Sequence, residues 1–216
     1  MSKKKVPMAT IKRLPRYYRY LSDLLKDQIF RISSEELSRR MGVTASQIRQ
    51  DLNFFGGFGQ QGYGYNVEHL YREIGQILGV EHQNGTVIIG GGRLGQALAN
   101  YPALGRRGFS VLAIFDIDPK LVGSSIGKVP VYHIDHLEAF MAEHDVRVAI
   151  LTLPKEASED VALRLADCGI RGVLNFSYVD LHMPPTVAVE NVHLTDSLLT
   201  LSYKITKQEQ EESEEN

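Results

Sequence analysis

The stretch Gly90-Gly91-Gly92-Arg93-Leu94-Gly95 constrains this chain most. It follows the apolar run Thr86-Val87-Ile88-Ile89 and leads into Leu94-Gly95-Gln96-Ala97-Leu98-Ala99, whose residue types favour a helix. Strand, tight turn and helix start are the context a dinucleotide-binding GxGxxG requires, and without that context the motif is weak. Gly90 permits the sharp turn, Gly92 lets backbone approach a pyrophosphate, and Gly95 lets the helix lie close to the strand. The unpaired N–H groups at the helix start would face the phosphates. A second apolar run, Ser110-Val111-Leu112-Ala113-Ile114-Phe115, ends at Asp116. An acid about 20 residues after the loop is placed to bond a ribose hydroxyl. Asp116 favours NAD over NADP, because a 2′-phosphate would meet a carboxylate. Asp118 reads as a turn residue ahead of Pro119.

The pattern continues in alternation. Val129-Pro130-Val131-Tyr132 is a short strand, 137–144 a helix, Arg147 to Leu153 a branched-rich strand closed by Pro154, and 158–168 a helix. Gly172-Val173-Leu174-Asn175-Phe176 and Val187-Ala188-Val189-Glu190-Asn191-Val192 are further strands, and 196–205 is a closing helix. Such alternation gives a parallel sheet with right-handed crossovers. Ligands of these sheets sit outside the strand carboxyl ends, so Thr152, Pro154, Asn175 and Phe176 join Gly90–Gly95 and Asp116 as candidate cofactor residues. The end of the chain, 206–216, is acidic and of low complexity, and is expected to be disordered.

Charge is unevenly spread. Residues 1–66 hold twelve basic and five acidic side chains, whereas the whole chain carries −2. A basic first third points to a polyanionic partner for that part only. Within it, Leu14, Tyr17, Tyr18, Leu21, Leu24 and Leu25 recur at helical spacing, with Pro15 suited to a first turn. Ser33 with Glu36 forms a capping box before Leu37 and Met41, Gly42 ends that short helix, and Thr44 can cap the next, 45–55. Helix, turn, helix is the helix-turn-helix pattern. Ala45, Ile48, Leu52 and Phe55 would face the core, leaving Ser46, Gln47, Arg49, Gln50 and Asn53 on the other side. Arg, Asn and Gln can bond base edges in pairs, although an ordinary solvated helix face would carry the same residues. The next stretch, 56–66, has a glycine every two or three residues with aromatics between. It reads as a wing hairpin whose tip, Gly62-Tyr63-Gly64, is slim enough for a minor groove. Arg13, Arg16, Thr44 and Tyr65 complete the candidate DNA-facing set. A helix over 67–79 closes a first domain of residues 1–83, followed by a nucleotide domain over 84–205.

Several functions are disfavoured. Cys168 is the only cysteine, so neither an intrachain disulfide nor a thiolate metal cluster can form. His133 and His136 lack a second ligand pair, so no metal is expected. No apolar run is long enough to span a membrane, and Met1-Ser2-Lys3-Lys4-Lys5 is not followed by the apolar segment of a secretory signal; a cytoplasmic location is expected. GxSxG and HExxH are absent, and the residues after Asn175 leave little room for a substrate domain with an acid/base group. The chain therefore reads as a non-enzyme, with a small NAD-dependent oxidoreductase as the alternative. A coenzyme A-binding domain and a dimerisation module in place of the DNA-binding one are further rivals.

Leu-Pro-Arg-Tyr at 14–17, Val-Thr-Ala-Ser-Gln-Ile-Arg-Gln-Asp-Leu at 43–52, Gly62-Tyr63-Gly64-Tyr65-Asn66-Val67, Gly-Arg-Leu-Gly-Gln-Ala-Leu at 92–98 with Asn100-Tyr101, and Val189-Glu190-Asn191-Val192 together resemble the bacterial Rex family of redox-sensing transcriptional repressors. The resemblance implies an α/β protein with an N-terminal winged helix-turn-helix and a C-terminal Rossmann domain. It implies a homodimer that exchanges its C-terminal helix and binds an inverted-repeat operator. NADH would release the DNA, whereas NAD⁺ would compete without doing so. By position, Arg49 and Gln50 fall on the recognition helix, Tyr63 at the wing tip, and Arg93 and Tyr101 in the nucleotide-sensing region. Gln50 and Gln60-Gln61 stand where the family often has basic residues, and His193-Leu194 where it often has Asp-Phe.

Overall fold

A computed structural model of the chain describes residues 6–54, 59–60 and 64–214. It divides into two compact units, Met1–His82 and Gln83–Asn216, one residue from the boundary expected from composition.

The first unit comprises α1 (Met8–Lys26), β1 (Arg31–Ile32), α2 (Ser34–Met41), α3 (Ala45–Asn53), β2 (Gly59–Gln60), β3 (Gly64–Asn66) and α4 (Val67–Leu78). The caps form where the sequence places them. The Ser33 hydroxyl accepts from the Glu36 N–H at 3.0 Å, and the Thr44 hydroxyl from the Gln47 N–H at 3.1 Å. Each satisfies a donor that a helix start leaves orphaned. Leu14, Tyr17, Leu21, Leu37, Met41, Ile48, Leu52, Leu70 and Ile74 fill one core. The three strands form an antiparallel sheet in the order β1-β3-β2, the wing of a winged helix with β1 added as a third strand. β1 is too short to carry a periodic signal. Phe55 and the wing tip at Tyr63 lie outside the described residues.

One correction concerns α1. Pro15 is not in a first turn; the helix begins at Met8 and Pro15 lies within it. The cost of a missing N–H is offset because the extra turn brings Thr10 and Arg13 onto Asp51 of α3. The Asp51 side chain is wholly buried. It accepts from Thr10 Oγ1 at 3.1 Å, Arg13 Nε and Nη2 at 2.7 Å each, Tyr17 Oη at 2.9 Å and Gln47 Nε2 at 3.0 Å. Burial pushes its carboxyl up, but hydrogen bonds from Arg13, Tyr17, Thr10 and Gln47 outweigh burial and hold it below the usual carboxylate value. A buried charge persists only when paired and bonded in this way.

The second unit comprises β4 (Asn84–Ile89), α5 (Arg93–Ala99), α6 (Pro102–Arg106), β5 (Phe109–Asp116), β6 (Ser125–Ile126), β7 (Val129–His133), α7 (Leu137–Glu143), β8 (Val146–Leu151), α8 (Lys155–Asp167), β9 (Gly172–Asn175), β10 (Ala188–Asn191) and α9 (Leu194–Glu214). The seven strands are ordered β10-β9-β8-β4-β5-β7-β6, and all neighbours are parallel except β6 with β7. β4 lies between β8 and β5, where the chain order reverses, the place at which such sheets open a ligand crevice. Val87, Ile89, Phe115, Leu151 and Leu165 pack one face, and Ile88, Ile114, Val131 and Ile150 the other. Arg164 of α8 donates from Nε to Glu138 Oε1 at 2.7 Å and from Nη2 to Oε2 at 3.0 Å, clamping α7.

The disorder expected over 206–216 is corrected for residues 206–214, where α9 runs on to Glu214; the last two residues lie outside the described residues. Lys, Gln and Glu are good helix formers, and Lys207 pairs with Glu211 four residues on at 3.2 Å.

Replacing Asp51 with Ala removes the acceptor for Arg13 and Tyr17. It should cost about 3–5 kcal/mol, the loss usual when one side of a buried pair is removed, read in urea unfolding of the N-terminal unit. Because the native carboxyl is held low, its stabilisation is fully present above the unfolded carboxyl value of about 3.9. It is lost as pH falls through the lower native value. The acid limb of the unfolding curve should therefore flatten in Asp51→Asn.

Candidate nucleotide site and nucleic-acid interface

The glycine loop joins β4 to α5 over the carboxyl end of the sheet. Gly90 has φ +103, and a Cβ there would sit 2.7 Å from Thr152 Oγ1 and 2.8 Å from the Thr152 carbonyl oxygen. A Cβ at Gly95 would sit 1.9 Å from the Gly90 carbonyl oxygen. These two glycines are demanded by the chain itself. Gly92 is not: its φ of −64 suits any residue, and a Cβ there would meet nothing within 4 Å. Nothing within this unit requires a bare backbone at Gly92.

Three side chains fix the loop. Thr152 Oγ1 donates to the Gly90 carbonyl at 2.8 Å, and Gln96 Nε2 to the Gly91 carbonyl at 2.8 Å. Asp116 accepts from the Gly91 N–H through Oδ2, and through Oδ1 from the N–H groups of Ile117 at 2.7 Å and Asp118 at 2.8 Å. Asp116 is thus first a brace for the loop, a role spacing does not show, with a lone pair remaining on Oδ2. Gly92 caps α5 without a side chain, so the N–H groups of its first turn stay open to an anion. Arg93 is exposed at that end, Leu94 is 40% exposed and Tyr101 57%. Pro154 caps α8 and is exposed.

Asn175 needs correction. Its side chain is buried and fully used. Nδ2 donates to the Val179 carbonyl at 2.8 Å and to Asn191 Oδ1 at 2.9 Å, while Oδ1 accepts from Ser177 N at 3.0 Å and Oγ at 2.6 Å. It secures the segment after β9 and is not a free cofactor contact. Phe176 instead lines a small apolar cleft with Leu94, Tyr178, Val192, His193 and Leu194. Periodicity did not single out Tyr178, which lies in an irregular segment, and Val192, read as the end of the last strand, falls just past β10. Burial raises the Cys168 thiol, consistent with an unreactive cysteine.

In the first unit, α3 separates its polar residues into two groups. Ser46, Arg49, Gln50 and Asn53 are exposed, as is Thr44 at its start. Gln47 and Arg13 are withdrawn from the expected DNA-facing set, since both are spent on Asp51. Tyr65 is withdrawn as well, being 7% exposed in the core; alternation along β3 turns it inward while Gly64 and Asn66 flank it. The sequence reading missed Asp51. Its signal was helical spacing, since position 51 follows Gln47 by four and lies beside Ile48 and Leu52. Arg16 is exposed on α1, its guanidinium carbon 5.9 Å from the Tyr20 ring centre, with that of Arg19 at 5.7 Å on the same ring. Arg49 Nη1 donates to Ser34 Oγ at 2.9 Å and Glu35 Oε1 at 3.3 Å. Among the described residues no three His, Cys, Asp or Glu side chains gather to hold a metal, and no helix is long and apolar enough to cross a membrane.

Fold and site together define a class: a winged-helix unit in one chain with a Rossmann-like nucleotide unit. Residues 5–53 match the family model described as Putative DNA-binding protein N-terminus, and residues 81–179 the one described as CoA binding domain. The redox-sensing transcriptional repressor Rex of Thermoanaerobacter pseudethanolicus is 55% identical over 97% of this chain and 94% of its own length. A crystal structure of RSP in complex with β-NAD⁺ and operator DNA is 51% identical, covering 97% of each chain with a TM-score of 0.89. One of RSP with β-NADH is 49% identical, covering 96% of this chain and 98% of that one, with a TM-score of 0.88. The chain belongs to the Rex family of redox-sensing transcriptional repressors. It is a regulator rather than an enzyme.

The glycines separate by measurement. Gly95→Ala should lower the thermal midpoint of the second unit, since overpacking costs about 1–3 kcal/mol. Gly92→Ala should leave it unchanged or raise it slightly, by up to about 1 kcal/mol, as at other sites of compatible φ.

Proposed function

We propose that the chain acts in the cytoplasm as a homodimeric repressor that holds an inverted-repeat operator and releases it when NADH occupies the glycine-loop site. The observation that carries the cofactor reading is the open Gly92, beside unpaired α5 N–H groups and the Asp116 carboxylate. A pyrophosphate fits that cradle, and a side chain at position 92 would intrude on it. Gly90 to Gly95 with Arg93 would hold the phosphates, and Asp116 would accept from a ribose hydroxyl. The cleft of Leu94, Phe176 and Tyr178 offers apolar walls for a flat ring. Thr152 acts through the loop, the exposed Tyr101 and Pro154 would meet the cofactor from the surface, and Asn175 is left to its structural work. The relatives named above, one solved with β-NAD⁺ and operator DNA and one with β-NADH, support the same assignment.

On the DNA side, Arg49, Gln50, Ser46 and Asn53 would face base edges from α3. Thr44 and Arg16 would meet backbone, and Tyr63 and Gly64 the minor groove. A dimer is supported by α9, whose Leu194, Leu198, Leu199, Leu201, Tyr203 and Ile205 are all exposed in the single chain. An apolar surface of that kind marks an interaction site, and exchange of α9 between subunits would cover it.

NADH can move the operator equilibrium only through differential affinity for two states of the dimer, and the coupling must be reciprocal. Operator affinity measured against rising NADH should fall, and NADH affinity should fall equally when operator is present. Operator binding that stays constant at saturating NADH would end the switch reading. Gly92→Ala, folded as above, should lose NADH affinity by at least tenfold. A second reading rests on the match of residues 81–179 to a CoA binding domain; coenzyme A displacing bound NADH at comparable concentration would favour it. Leu198→Glu with Leu201→Glu should shift the chain to monomer in sedimentation.

A further inference from the structure

Arg49 of α3 is the exposed arginine placed to read a base, and it is not free to swing. Its Nη1 donates to Ser34 Oγ at 2.9 Å and to Glu35 Oε1 at 3.3 Å. The Ser34 hydroxyl in turn donates to Glu35 Oε2 at 3.3 Å. Ser34 is buried at the first turn of α2, so the contact is anchored to the core rather than to a loose surface chain. Glu35 is held charged below the usual carboxyl value by its own backbone N–H, by Ser34 and by Arg49. Among the described residues, no hydrogen bond reaches Arg49 Nη2 or Nε. One corner of the guanidinium is therefore tied back to α2 while the opposite edge faces outward.

An arginine reads guanine by forking two N–H groups onto O6 and N7. That geometry needs a fixed guanidinium plane, and a free arginine side chain loses rotamer entropy when it is fixed. We propose that Glu35, through Ser34, is a positioning residue for sequence readout: it pre-sets the Arg49 fork and so contributes discrimination rather than affinity. The charge argument separates the two effects. A carboxylate near the DNA repels phosphate, so removing it strengthens sequence-independent binding, which is electrostatic. Removing it also frees Arg49, which weakens base discrimination.

This inference rests on the reading of Arg49 as a base contact, and the test separates the two. Operator and random-sequence duplexes are titrated at one salt concentration with the full chain, its Glu35→Ala, Glu35→Gln and Arg49→Ala variants, and the double variant. A set of operators substituted at single positions locates the base pair that Arg49 reads. Arg49→Ala should reduce the operator-to-random ratio at least fivefold. Glu35→Ala should reduce that ratio about two- to fivefold, the range an exposed ion pair can supply, while binding random DNA equally well or better. The loss should fall on the base pair that Arg49→Ala relaxes, and it should vanish in the Arg49→Ala background. Glu35→Gln, which keeps an acceptor oxygen, should recover part of the ratio. Both single-variant side chains are exposed, so unchanged circular dichroism is expected. An undiminished ratio in Glu35→Ala, with Arg49→Ala defective, would overturn the positioning role alone. Tighter operator binding with discrimination intact would also overturn it, showing Glu35 to be a competitor of DNA for Arg49. An Arg49→Ala ratio equal to that of the unsubstituted chain would overturn the base-reading assignment and this inference together.

Discussion

The approach of α5 to the end of β4 governs the second unit. A helix start can sit this near a strand end only where no Cβ intervenes, and at Gly95 an added Cβ would lie inside the Gly90 carbonyl. Once that contact is made, the turn between has little freedom left. The Gly90 N–H donates to the Phe115 carbonyl, Thr152 bonds the Gly90 carbonyl, and Asp116 takes the Gly91 N–H. Neighbouring strands β5 and β8 therefore hold the loop from both sides. The N–H groups of the first helical turn are left pointing at open space, with Gly92 as the gap in the wall. A preorganised set of donors is effective because their orientation is fixed by the fold before any ligand arrives.

The first unit has a counterpart of opposite chemistry. There the organising group is a charge: Asp51, without solvent contact, tying α1 to α3 through four hydrogen bonds donated by Thr10, Arg13 and Tyr17, with a fifth from Gln47 of its own helix. Replacing a buried ion pair by apolar residues is often neutral or stabilising, so such a group is weak evidence for stability in itself. What it does here is directional. Arg13, Thr10 and Tyr17 of α1 converge on one point of α3, which fixes the rotation of α3 about its own axis. That rotation turns Ser46, Arg49, Gln50 and Asn53 outward. A register error in α3 would strand Asp51 without partners, so the network specifies which helix face is presented.

A regulator of this kind needs no proton transfer, and the absence of an acid/base constellation in the sequence agrees with the family to which the chain belongs. Its requirements are different: two binding surfaces and a body whose states they favour unequally. Leu198, Leu199 and Leu201 lie along α9 and are exposed in the single chain, a surface of the kind that marks an interaction site.

How much of this was legible in the residues follows from the range of the forces involved. Features set within one turn were: the Ser33 and Thr44 caps and the strand–loop–helix at Gly90, whereas the short α6 and β6 left no signal. Gly95 was readable because the constraint is local, between residues five apart. Asp116 was found by spacing, but as a ribose ligand and not as the brace of Gly91, because the Gly91 contact spans 25 residues. Asn175 was mistaken for a site residue since a strand end looks the same whether its side chain faces a ligand or the chain's own loop.

The sequence alone determined most of the longer helices and strands and where the loop needs Gly90 and Gly95, because caps, periodicity and missing Cβ atoms act between near neighbours. Only the tertiary structure decided which polar groups remain available. Arg13, Gln47 and Tyr65 look as free as Arg49, Gln50 and Asn53 when written in a line. Arg13 is drawn across to Asp51 of α3 and Tyr65 into the core because partners distant in sequence meet only when the elements pack, whereas Gln47 turns to the same Asp51 within its own helix.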